Sequence, residues 1–510
     1  MPLIRDAAAG QNGPMRRPLT LLAALLFPLA AAAAPTDPVV LERPDDALGA
    51  PHVVGLRTLA DVPQAYVEEE FLVSGNATVY TYEEQPRREV VLPRDLDVPY
   101  KTRLVVRRPA DPRKFRGTVV VEWWNSTASF DSAPVWDASA EFFAREGWIY
   151  VGVTNSNTPI AFLRGGCFLG GLLPVADCRQ RYASLSLPEN GQAYEMMSQI
   201  AHALKHGGTS SPLPAGYRVR RLFHAGQSQQ GGSVITYATA FHFPANDGYF
   251  VQTFSLARAI NAGPVCGALG APAYPACTPA LQGVERLVRT DLPVPVVQAL
   301  TETDMELPFG VLPNDARQRD TKKYRYYELA GATHTGVHKG VEVIPALLTL
   351  EDTCLNPLNT HADGPVFGAY LLNAMWQNLE WQVRFRIPPP HGRLMVVSAG
   401  AVARDEFGNA RGGIRLPELD LPVASYSPNN EVNVANIPGI LLPALPLLNL
   451  FCVLSGSVFP FDEATLAGLY PSGEEYVERY RQRLFFLLWR RFLLWEDAQK
   501  LDEALVPPVP

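Results

Sequence analysis

Phe223-His224-Ala225-Gly226-Gln227-Ser228-Gln229-Gln230-Gly231-Gly232, "FHAGQSQQGG", places a serine where a buried run gives way to a helical pattern. The apolar run Val219 to Ala225 before it reads as a buried strand, and Gln229 to Phe241 after it has helical periodicity. A serine at a sharp strand-to-helix turn can present its hydroxyl as a nucleophile. The spacing departs from G-x-S-x-G, because Gln230 stands where the second glycine belongs and Gly231 and Gly232 follow. Gly226 allows strand and helix to approach on one side. Gln230 is expected to point sideways, into the sheet–helix crevice or the wall of a pocket. Glycine-rich loops containing serine are common, so the motif by itself decides little and its surroundings have to supply partners.

Strands and helices alternate along the chain on either side of this stretch. Lys101 to Arg107, Thr118 to Trp124, Trp148 to Val153, Tyr249 to Leu256, Pro295 to Leu300 and Tyr324 to Leu329 read as strands. Ala138 to Glu146 and Glu189 to Lys205 read as helices between them. "TVVVEWW" (118–124) is a nearly unbroken apolar run, as a strand covered on both faces should be. The alternation predicts an α/β fold with a mostly parallel, doubly wound sheet. Ligands in such folds bind beyond the carboxyl ends of the strands. Residues 35–65 form a Pro/Asp-rich lead-in, 66–385 the core, and 257–290 an insertion that is either a cap or a surface excursion. The pattern changes past residue 385, where "PPPHG" (388–392) marks a break, and 386–510 form a C-terminal extension. Within it, 403–422 read as turn-rich β structure, Asn436 to Leu454 as a buried irregular segment interrupted by prolines, and Glu474 to Lys500 as one helix.

The chain has 510 residues, 47% hydrophobic and 19% charged, with a net charge of −7. That balance gives no reason to expect nucleic acid as a partner. Met15-Arg16-Arg17, the apolar run Leu19 to Leu29 and the alanines 30–34 predict a secretory signal peptide over 1–34 and hence an exported protein, periplasmic or secreted. Export changes how the six cysteines read. Two pairs are eleven residues apart, Cys167/Cys178 and Cys266/Cys277, and the expected disulfides are these plus Cys354/Cys452. "LFFLLWRRFLLW" (484–495) reads as an amphipathic helix docked on the body. Its split by Arg490 and Arg491 also suits peripheral membrane contact.

A serine nucleophile in this topology is followed in the chain by an acid and then a histidine. "PVVQALTETDM" (295–305) offers Asp304 and, as the alternative, Glu302 in the turn after a strand. The spacing from Pro295 favours Asp304. "YRYYELAGATHTGVH" (324–338) offers His334 just after the last strand, with His338 one helical turn on. An imidazole there is suited to take the serine proton and pass it to the leaving group. His224, inside a strand, reads as a packed core histidine. The oxyanion would be held by the N–H of Gln229 and one from the loop after "TVVVEWW", with Asn125 or Ser126 the candidates and Asn125 preferred. Trp123, Trp124, Phe130 and Trp136 around that loop suit either a substrate pocket or the core. This chemistry calls for no metal and no cofactor.

Seven segments together, "GTVVVEWWNSTASFDSAPVW" (117–136), "RYASLSLPENGQAYEM" (181–196), "HAGQSQQGG", "TETDM", "YELAGATH", "RDEFGNARGGIRLPELDLPVASY" (404–426) and "LYPSGEEYVERY" (469–480), resemble the bacterial α/β-hydrolase domain family of large, mostly uncharacterised exported proteins. The resemblance runs from about residue 65 to the end. It implies an α/β-hydrolase core with the C-terminal extension packed on it. It also implies a carboxylic ester hydrolase, acting on a small or polymeric ester, with Ser228 as nucleophile, Asp304 or Glu302 as acid and His334 as base. The same triad would serve an amidase, a lactonase or a polyester hydrolase. A fold with a decayed elbow would be a non-catalytic binding protein, and Gln230 is the departure from the family pattern that allows it.

Overall fold

The computed structural model describes residues 39–510 except 54–56, 168–175, 209, 254–255, 262–265, 267–269, 275, 307–316, 336–341, 345–347 and 361–366. The expected leader and His338 lie outside the described residues. Nine strands build the main sheet: β1 (Val40–Glu42), β2 (Tyr66–Thr81), β3 (Leu92–Pro109), β4 (Thr118–Trp123), β5 (Ile149–Val153), β6 (Arg221–Gln227), β7 (Gly248–Gln252), β8 (Val296–Thr301) and β9 (Tyr324–Leu329). Their order is β1-β2-β3-β5-β4-β6-β7-β8-β9. β1 to β3 and the β3–β5 pair are antiparallel, while β4 to β9 are mutually parallel. Every residue of β4 through β9 is buried. This is why these segments read as apolar runs instead of alternating ones. The chain leaves β4 to form β5 on one side and returns to form β6 on the other. The strand order therefore reverses at β4, and a crevice opens beyond its carboxyl end.

Helices cover both faces. On one, α1 (Pro134–Arg145) and a later helix, Ala369–Phe385, close over the sheet. Trp376 of that helix packs edge-on against Phe250, with ring centres 4.3 Å apart, and against Phe143 and Trp148. On the other, α2 (Ala193–His206) and the turn Tyr237–Phe241, which follows α3 (Gln229–Thr236), bring Tyr194 and Tyr237 against Trp123, and Tyr237 also meets His224. Phe223 meets Trp376 while its neighbour His224 meets Tyr237, as the twofold alternation of a strand requires. His224 is fully buried and accepts a hydrogen bond from Trp123 Nε1 at 3.0 Å, and burial pushes its pKa down to about 3.

Several elements differ from the sequence reading. The helix Ala369–Phe385 corresponds to no predicted element. It is buried nearly all round, so it carries no apolar stripe against a polar face. The expected helix 474–500 is two, α4 (Gly473–Trp489) and α5 (Trp495–Glu503). The break is tertiary: Arg491 takes φ 59°, its carbonyl accepts from Asn378 Nδ2 at 2.8 Å, and Phe492 and Leu493 bury themselves. In α4, Leu484 and Leu487 face inward, whereas Phe485 and Trp489 are 70% and 71% exposed. The proline-rich segment 436–454 is not irregular throughout and not wholly buried. A helix runs from Leu445 to Ser455 with Pro446 in its first turn, where no N–H is needed, and Ile440 and Leu442 are exposed. Within 257–290, a single 3-10 turn runs over Gly283–Arg286.

The described residues from 39 to 510 form one compact unit. The C-terminal segments join the core through Asp497, which accepts from Arg145 Nη1 at 3.1 Å and from Asn373 Nδ2 at 3.0 Å. The Ala330 N–H also donates to the Ile414 carbonyl, at 3.1 Å. Disulfides join Cys167 to Cys178, Cys266 to Cys277 and Cys354 to Cys452. Such a set belongs to an oxidising environment. Among the described residues, no helix is long and apolar enough to cross a membrane.

Candidate active site

Ser228 joins β6 to α3 with φ 56° and ψ −125°, a conformation that a non-glycine residue adopts only when its surroundings enforce it. Here the enforcement is packing. A Cβ on Gly226 would lie 2.4 Å from the Gln230 carbonyl oxygen, so the helix start sits directly on the glycine. The close approach needs only the backbone of residue 230. The Gln230 side chain turns instead to the loop after β4, where its Nε2 donates to Ser126 Oγ at 3.3 Å. Ser228 and Gln229 remain half-buried at the rim, while Gln230 is buried.

His334 Nε2 lies 2.7 Å from Ser228 Oγ, and His334 Nδ1 lies 2.5 Å from Asp304 Oδ1. The other oxygen of Asp304 accepts the Thr301 N–H at 2.7 Å and the Thr301 hydroxyl at 2.8 Å, which orients the carboxylate at the end of β8. Three residues read separately from the sequence thus form one hydrogen-bonded chain at the carboxyl ends of β6, β8 and β9.

Glu302, the alternative acid, faces elsewhere. Its carboxylate is buried, accepts the Gly331 N–H at 2.6 Å and pairs with Arg404, which also bridges to Glu306. Burial raises its pKa, and Arg404 opposes that rise. Its contacts therefore run to the backbone of the loop carrying His334 and not to the imidazole.

The loop after β4 is hydrogen-bonded within itself. Asn125 and Ser132 exchange backbone hydrogen bonds at 3.0 and 2.9 Å. The Asn125 N–H expected in the oxyanion role is therefore already engaged, a correction that a linear reading of the loop had no means to make. The Asn125 side chain points to the end of β6, where Nδ2 donates to the Gln227 carbonyl at 3.1 Å and to Gln227 Oε1 at 3.0 Å. Ser126 Oγ contacts the side chains of Gln229 and Gln230. Asp131, later in the loop, is fixed by the fully buried Arg103, which also pairs with Glu70 at 2.9 Å. Buried Glu122 ends the approach to α1 by accepting the Val135 and Trp136 N–H groups at 2.9 and 3.1 Å, and burial pushes its pKa up to about 8. Trp123, Trp124, Phe130 and Trp136 are buried at 5% exposure or less and belong to the core. Gln227, Thr301 and Arg404 had no role in the sequence reading. The one hint was that Gln227 is a polar residue at the end of an otherwise apolar strand.

This sheet order, with Ser228 in the turn after β6 and Asp304 and His334 after β8 and β9, is that of an α/β-hydrolase fold. A family model described as an alpha/beta hydrolase domain matches residues 38–503, and the chain belongs to that family. Solved structures similar to it include the poly(3-hydroxybutyrate) depolymerase LpqC from Bordetella parapertussis, 14% identical, covering 43% of this chain and 66% of that one, with a TM-score of 0.23. A CE15 glucuronoyl esterase from Teredinibacter turnerae is 13% identical, covers 52% and 62%, and has a TM-score of 0.25. The rice cell wall degrading esterase LipA from Xanthomonas oryzae is 12% identical, covers 43% and 50%, and has a TM-score of 0.21. At these scores the likeness says nothing about substrate. No curated protein matches the chain.

Proposed function

We propose that this protein is a serine hydrolase of carboxylic esters, with Ser228 as nucleophile, His334 as general base and acid, and Asp304 as the orienting carboxylate. The observation that carries the reading is the unbroken series Ser228 Oγ, His334 Nε2, His334 Nδ1 and Asp304 Oδ1, at 2.7 and 2.5 Å, with Ser228 on a sharp strand-to-helix turn. In the first half-reaction, Ser228 Oγ bonds to the ester carbon and its proton passes to His334 Nε2. The C–O bond to the alcohol then breaks, and the alcohol leaves with that proton. In the second, a water molecule repeats the sequence on the acyl-enzyme and frees the acid. Asp304 accepts Nδ1–H throughout and stabilises the imidazolium.

The Gln229 N–H, first in α3, is one oxyanion donor. The second is the Ser126 N–H, because that of Asn125 is spent on Ser132. Ser126 is the better choice because its hydroxyl already meets the side chains at the start of α3. The protein acts outside the cytoplasm in this reading, supported by its three disulfides and the leader-like N-terminus.

A fluorophosphonate probe tests the chemistry. The folded wild type is expected to be labelled and Ser228→Ala is not. Unlabelled wild type, folded by circular dichroism, would overturn the proposal. A series of p-nitrophenyl esters of rising acyl length then measures the size of acyl group accepted.

A further inference from the structure

We infer that Gln227 is a positioning residue, holding the histidine loop and the loop after β4 in register with Ser228. The inference rests on the hydrolase reading above. Gln227 is the residue before Ser228 and is 3% exposed. Its Nε2 donates to the His334 carbonyl at 2.8 Å, and its Oε1 accepts from Asn125 Nδ2 at 3.0 Å. Asn125 is anchored in turn, its Oδ1 accepting the Thr127 N–H at 2.9 Å. The two ends of one amide thus meet the two loops that flank the serine. The partners dictate its orientation: a flipped amide would set NH2 against NH2 and oxygen against a carbonyl.

The geometry explains why such a tie is needed. His334 arrives from β9, three strands away from β6 in the sheet. On its far side the loop is held by the C-terminal extension, with the Thr335 N–H donating to the Leu454 carbonyl at 3.0 Å. On its near side, Gln227 fastens the backbone of the base to the neighbour of the nucleophile. Without that bond the loop loses the tie that joins it to the neighbour of Ser228, and the spacing of Ser228 and His334 is less tightly held. A residue here must donate at one end and accept at the other, which methionine and an ionised glutamate cannot do.

The test compares the pH dependence of fluorophosphonate labelling, and kcat and KM on a short p-nitrophenyl ester, for wild type, Gln227→Met and Gln227→Glu. Gln227→Met should lower kcat and the labelling rate by about 10–100-fold at every pH, with KM changing much less, because misplaced catalytic groups cost rate and not ground-state binding. Gln227→Glu introduces a carboxyl that can donate to the His334 carbonyl only while protonated. Its rate relative to wild type should therefore fall as pH rises, a signature that a loss of packing would not produce. Wild-type labelling rates in both folded variants at all pH values would overturn the inference. So would a deficit in Gln227→Glu that does not vary with pH, and this second readout decides even if Gln227→Met fails to fold. Absence of labelling in the wild type would instead sink the hydrolase reading itself.

Discussion

Replacing Gly226 with alanine adds one methyl group, and its consequence can be worked out from the elbow. The new Cβ would lie 2.4 Å from the Gln230 carbonyl oxygen, 2.5 Å from its carbon and 2.9 Å from the Gly231 nitrogen. All three are backbone atoms in the first turn of α3, so no side chain can rotate away to make room. An ordinary carbon–oxygen contact is about 3.3–3.6 Å, so the start of the helix must retreat by about 1 Å. Overpacking of this kind costs about 1–3 kcal/mol of stability. The larger effect falls on the site, because the retreat carries Ser228 and the Gln229 N–H with it. A displacement of about 1 Å at reacting groups lowers the rate on the order of 100-fold. The assay is kcat/KM on a p-nitrophenyl ester, with thermal melting to establish that the variant is folded. Gly165→Ala is the control, since a Cβ there meets nothing within 4 Å, and it should be neutral or slightly stabilising. Gly226→Ala with wild-type activity and wild-type melting would refute the close-packing argument.

Asp304→Asn should lower kcat on the order of 10⁴-fold, while Glu302→Gln should act mainly on the melting temperature; the reverse pattern in steady-state kinetics would give the acid role to Glu302. Glu122 has its pKa raised to about 8 by burial, so between the ordinary glutamate range and about 8 the folded protein holds a proton that the unfolded chain does not. Stability from this group is therefore full at low pH and is lost as pH rises through that window, and Glu122→Gln should flatten the decline. Identical slopes of melting temperature against pH in the two proteins would refute this. The Cys354–Cys452 bond spans a sequence separation of 98, and losing a loop of that length costs about 4–5 kcal/mol by chain entropy. Cys354→Ser should lower the denaturant midpoint, and an unchanged midpoint would count against that estimate.

How far the site could be read in advance depends on the range of the interaction involved. The elbow was legible because a buried strand, a glycine and a serine at a helix start are neighbours in sequence. The order of Ser228, Asp304 and His334 was legible for a related reason, since each sits just after a strand. Choosing between Asp304 and Glu302 was harder. Both lie on one short helical turn, and spacing argues for the first only weakly. The direction each carboxylate takes is set by what lies across from it: Arg404, a hundred residues away, draws Glu302 and Glu306 together, leaving Asp304 to Thr301 and His334.

Residue pattern alone pointed to the alternation of buried strands and helices, the parallel sheet that follows from it, and a serine, an acid and a histidine in chain order. Those features are local, carried by periodicity and by residue type at the ends of strands. Only the tertiary structure decided the rest. It engaged the Asn125 N–H with Ser132, turned the Gln230 side chain toward Ser126 and stretched the Gln227 amide between two loops. It also buried the helix Ala369–Phe385 on nearly all sides and broke the last helix at Arg491. The physical reason is the same in each case. A buried polar group must find a partner and a buried surface must find a neighbour, and both are supplied by segments far away in the chain.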